Sequence, residues 1–169
     1  MYRGYLQPDG SRAGGFLYYV SITGITGTRS AAGEEVRKHV DFLRRHTDLP
    51  IAVEILLVNG EDHYAAPGEL DWLASNEGRL DDIVLALNID GAGYREGRSA
   101  YSTYNVEPVL QAHIDRVFSG KPSLMPGPEF YQSDHAIFAM QSRPAMAITT
   151  ELVNEMLDRL FHASTDTPD

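Results

Sequence analysis

With 169 residues, 43% of them hydrophobic and 22% charged, the chain is long enough for one domain with a real core. A net charge of −10 opposes phosphate backbones, so nucleic acid is not an expected partner. Cysteine is absent, which rules out disulfides and thiolate metal sites, and no apolar run approaches membrane-spanning length.

Residues 1–15 show little periodicity and read as loop or a frayed first strand. They hold no hydrophobic segment like that of a secretory leader, which makes the cytoplasm the expected location. Short apolar runs that read as strands follow at Phe16–Ile22, Ile51–Val58, Ile83–Ile89 and Ala145–Thr149. Between them the spacing turns helical. Val36, Val40 and Leu43 mark one face over 33–46, and Pro67 opens a helix in which Leu70 and Leu73 repeat. Val106–Phe118 is expected to turn Val109, Leu110, Ile114 and Val117 to one side. Ser133-Asp134 heads a helix over Ala136–Met140, and Leu152–Phe161 closes the set.

Strands alternating with helices predict an α/β fold, a mixed and mostly parallel sheet flanked by helices on both faces. One domain over 1–169 is expected, with 1–33 as a divergent N-terminal part and truncation at both ends left open. In such sheets ligands bind beyond the carboxyl ends of the strands. Glu61 and Asp62 follow the Ile51–Val58 run and an Asn59-Gly60 turn, and Asp90 ends the Ile83–Ile89 run before a Gly91-Ala92-Gly93 bend. His162 lies near the end, with Ser164, Thr165, Asp166 and Thr167 beside it to orient an imidazole. Carboxylates and an imidazole from three segments suit a zinc ion bound by oxygen and nitrogen. Each has a plainer reading: a solvated turn for Glu61-Asp62, a cap for Asp90, a helix-dipole partner for His162. Together they favour the metal. Asp134 as a helix cap and His135 as polar surface stand level with a role at the site. No Gly-x-Ser-x-Gly elbow and no cysteine offers a nucleophile for acyl transfer.

Four stretches carry a family likeness: Val58-Asn-Gly-Glu61-Asp62-His-Tyr-Ala-Ala-Pro-Gly68, Leu87-Asn-Ile-Asp90-Gly91, Tyr131-Gln-Ser-Asp134-His135-Ala-Ile-Phe138 and His162-Ala-Ser-Thr-Asp166-Thr-Pro168. In this order they resemble the zinc-dependent aminopeptidase family that includes bacterial leucyl aminopeptidases. Its superfamily also holds glutaminyl cyclases and the catalytically silent transferrin receptor ectodomain. The resemblance implies Glu61 as general base on metal-bound water, Asp62 and His162 on one zinc, and Asp90 on the other. Asp134, His135 and Asp166 would support them. One or two zinc ions and a peptide or small amide substrate are implied, with hydroxide attack on the scissile carbonyl. The family also has an early His-x-Asp and an aspartate bridging both zincs. The corresponding stretch here, Tyr19-Val-Ser-Ile-Thr-Gly-Ile-Thr-Gly-Thr-Arg29-Ser-Ala-Ala-Gly33, holds neither histidine nor acid, and the Arg29 guanidinium would repel zinc. The expectation is therefore a metallopeptidase-like hydrolase cleaving an N-terminal peptide bond. The main alternative is a silent or fragmentary relative, and a cyclase or non-peptide amidase comes third.

Overall fold

In the computed structural model, residues 16–18, 38, 41–42, 44–45, 53–56, 66–160 and 163 are described. The elements run β1 (Phe16–Tyr18), β2 (Val53–Ile55), α1 (Pro67–Asn76), a 3-10 helix (Glu77–Asp82), β3 (Ala86–Ile89) and β4 (Ser99–Tyr104). Then come α2 (Pro108–Phe118), β5 (Leu124–Pro126), α3 (Ala136–Met140), β6 (Ala145–Thr150) and α4 (Val153–Arg159). Residues 38, 41, 42, 44 and 45 are helical as well, inside the span expected from Val36, Val40 and Leu43.

Four strands form a sheet in the order β3-β6-β4-β5. β3 runs parallel to β6, β4 antiparallel to β6, and β4 parallel to β5. β1 and β2 pair in parallel, with Phe16 opposite Val53 and Tyr18 opposite Ile55. A parallel pair cannot be closed by a tight turn, and the two strands are well separated along the chain. β1 also runs within 8 Å of β3, Cα to Cα.

Side chains alternate across the strands and so build two separate cores. Ala86, Tyr104, Ala145 and Ala147 face one way, beneath Trp72 of α1, Phe138 of α3 and Val153 of α4. Leu87, Tyr101 and Met146 face the other way, against Ile114 of α2 with Leu110 and Phe118. Helices therefore cover both faces of a mixed sheet, the α/β architecture that the apolar runs predict. Among the described residues no helix is long and apolar enough to cross a membrane.

The details depart from expectation where a local pattern misjudged its face. Pro67 and Pro108 open α1 and α2, where a missing N–H costs nothing. Yet the inner face of α1 is Glu69, Trp72 and Asn76, while Leu70 is exposed. On α2 the inward stripe is Leu110, Ile114 and Phe118 at a spacing of four, and Val109 and Val117 point to solvent. β4 and β5 were not expected. Ser99-Ala-Tyr-Ser-Thr-Tyr104 mixes small, polar and aromatic residues, and Leu124–Pro126 is too short to show a period. Their pairing demands one close approach: a Cβ on Gly127 would sit 2.5 Å from the Cβ of Ala100.

Candidate functional site

β3 places Asn88 and, just past its end, Asp90 on the same side of the sheet, because side chains two apart share a face. That side is the one beneath α1, α3 and α4, since Ala86 lies in the core there. The chain then turns away through Gly91 and Gly93, whose φ values of 66° and 85° a side chain would resist. The glycine bend expected after Asp90 is therefore present. Opposite, the segment leading into α3 brings in Ser133, Asp134 and His135, all three buried.

One hydrogen-bond chain joins these groups, and its direction follows from the donors available. The Nε2 of His135 donates to the carbonyl of Phe130 at 2.8 Å, so its Nδ1 is the acceptor facing Asn88 Nδ2 at 3.4 Å. The same amide group donates to Ser133 Oγ at 2.6 Å. Ser133 Oγ in turn donates to Asp90 Oδ2 at 2.7 Å. The chain ends on a carboxylate, which can only accept, and Asp90 is thereby held in one orientation.

His135 works as part of the frame. It is fully enclosed, with Tyr104 and Phe130 against its ring at centroid distances of 4.8 and 4.9 Å. Burial disfavours the imidazolium and lowers its pKa to about 4, against a smaller opposing effect of the Phe130 carbonyl. Both ring nitrogens are engaged, so the neutral ring neither takes a proton near neutrality nor offers a lone pair to a ligand. The Tyr104 hydroxyl bonds both the carbonyl (2.7 Å) and the N–H (2.9 Å) of Phe130, which fixes the acceptor that His135 uses. Burial pushes the Tyr104 phenol up.

Thr149 lies on β6 on the same face as Ala145 and Ala147, next to Asp90, whose N–H donates to Ile148 O at 3.0 Å. Its Oγ1 and the Oδ1 of Asn88 are buried and make no hydrogen bond among the described residues. The arrangement is a fixed carboxylate beside an amide oxygen and a hydroxyl, at the carboxyl ends of two parallel strands. Chemically it suits a ligand that donates hydrogen bonds or carries positive charge. A second buried acid, Glu54, is structural: Arg79 pairs with it at 3.0 Å and Trp72 Nε1 donates to it at 3.4 Å.

Of the residues expected at a site, Asp90, Asp134 and His135 come together here. Glu61, Asp62, His162 and Asp166 lie outside the described residues. His135 is buried rather than polar surface, and it is His135 that stands at the N-cap of α3, with Asp134 buried one residue before it. The cost of burying Asp90 is met, in part, by the Ser133 hydroxyl. Asn88 and Thr149 escaped the sequence reading, although an asparagine inside an apolar strand run is itself a signal that a partner is waiting.

Comparison with known proteins separates the fold from the family. Two solved structures share the fold. BSAP, a zinc aminopeptidase from Bacillus subtilis, aligns with a TM-score of 0.58 and 13% identity, over 88% of this chain and 39% of that one. An aminopeptidase from Aneurinibacillus sp. strain AM-1 aligns with a TM-score of 0.55 and 17% identity, over 86% and 38%. At such identities the likeness is one of fold alone.

The sequence likeness leads elsewhere. The family model for the tryptophan synthase alpha chain matches residues 10–66. The tryptophan synthase alpha chain of Acidiphilium cryptum is 56% identical over 77 residues, 46% of this chain and 28% of the relative. That of Granulibacter bethesdensis is 38% identical over 88 residues, 45% of this chain and 32% of the relative. This chain thus spans about a third or less of the curated relatives it matches.

These matches correct the aminopeptidase reading. The family assignment, the metallopeptidase and hydrolase function and the zinc cofactor are all overturned by relatives that are tryptophan synthase alpha chains. Among the described residues no three of His, Asp and Glu stand together as a metal site. The error has a definite source. Three of the four motifs behind the resemblance lie beyond the matched residues and the first, Val58–Gly68, straddles their end, whereas the stretch around Arg29, which lacked every expected ligand, falls wholly inside them. What read as a divergent aminopeptidase segment lies in the stretch that is similar to tryptophan synthase alpha chains.

Proposed function

We propose that this chain is an enzyme component related to the tryptophan synthase alpha chain, acting on a small-molecule substrate in tryptophan synthesis beside a beta chain, in the cytoplasm. The observation that carries the reading is the 56% identity to the Acidiphilium cryptum alpha chain over 77 residues. The geometry is compatible with it: the matched residues 10–66 include β1 and β2, a parallel pair well separated along the chain, as in α/β enzymes. Nothing in this reading calls on zinc, a peptide substrate or nucleic acid.

In the same proposal Asp90 is the ligand-facing acceptor at the carboxyl edge of the sheet, with Asp134 as a buried supporting residue and His135 as a positioning residue. Glu61, Asp62, His162 and Asp166 are further polar candidates without a metal role. The test mixes the purified full chain with a tryptophan synthase beta chain and measures tryptophan formation. An increase over the beta chain alone is expected. Formation no greater than that of the beta chain alone would overturn the proposal.

A further inference from the structure

We draw no further inference here: the strongest candidate, the fully enclosed Glu69 carboxyl on the inner face of the first turn of α1, makes no hydrogen bond among the described residues, and nothing among them shows which ligand or donor would reach it.

Discussion

The two faces of the sheet are built from the same strands but solve different problems. Beneath α2, Leu87, Tyr101, Ile114 and Met146 close an apolar layer whose one polar tip, the Tyr101 hydroxyl, donates to Asp115 at 3.0 Å. Beneath α1, α3 and α4 the apolar layer of Trp72, Phe138 and Val153 gives way to Asn88, Asp90, Ser133, His135 and Thr149 toward the carboxyl ends of the strands. Burying such groups costs free energy unless each is hydrogen-bonded, and among the described residues Asn88 Oδ1 and Thr149 Oγ1 find no partner. One face is built for stability alone. The other accepts a stability cost around a fixed carboxylate, the arrangement expected where a fold holds a site.

This contrast can be broken by substitution. The largest effect is expected from Trp72→Ala, which empties the apolar part of the polar face. Trp72 stacks edge-on against Phe138 at 5.4 Å, and its loss is expected to cost about 3–5 kcal/mol in urea unfolding. A cost below about 1 kcal/mol would mean that this layer is not the stabilising part of the face. Next comes Ser133→Ala, which strips the donor from Asp90 and an acceptor from Asn88. It is expected to cost about 1–3 kcal/mol by the same measurement, although the residue is small. An unchanged midpoint would show that the hydrogen-bond chain does not hold Asp90.

Acid sharpens the same comparison. The fold keeps His135 neutral down to about 4, so between its ordinary value and that point the unfolded chain binds the proton first. Stability contributed by neutral His135 is present above about 6.5 and lost as pH falls toward 4. Between pH 7 and pH 5 the loss is expected to be about 2 kcal/mol, absent in His135→Gln. Equal slopes for the two proteins would remove His135 from the account. The smallest effect has the opposite sign. Thr149→Val removes a buried hydroxyl that has no partner among the described residues and keeps the shape, so a gain of about 1 kcal/mol is expected. A loss of stability instead would mean that the hydroxyl is satisfied in solution, most simply by a bound water.

Much of the fold was legible because it depends on local pattern. The runs around Val53–Ile55, Ala86–Ile89 and Ala145–Thr150 are apolar and β-rich, and each proved to be a strand. Pro67 announced a helix start through its fixed φ, while the helix expected from Val106 opens at Pro108. Periodicity failed where a helix face is polar, as with Glu69 and Asn76 on α1, because a spacing rule that counts only apolar residues rotates the helix the wrong way. It failed again in β4, where Tyr104 owes its burial to the Phe130 backbone it bonds. The site was legible only as isolated acids. Motif order suggested a metal centre, while the family model that matches covers residues 10–66, where the stretch 19–33 holds no acid and no histidine.

By itself, then, the amino-acid sequence determined the α/β alternation, the lack of thiol chemistry and the position of Asp90 at a strand end. These follow from composition and from the periods of two and 3.6 residues that neighbours along the chain must obey. Only the tertiary structure decided that Asp90 is gripped by Ser133, that Ser133 is fed by Asn88, and that His135 is locked neutral behind them. Those partners lie 43 to 47 residues apart along the chain. A hydrogen bond depends on distance and direction in space, and no local spacing encodes which distant side chains the sheet and its covering helices will bring face to face.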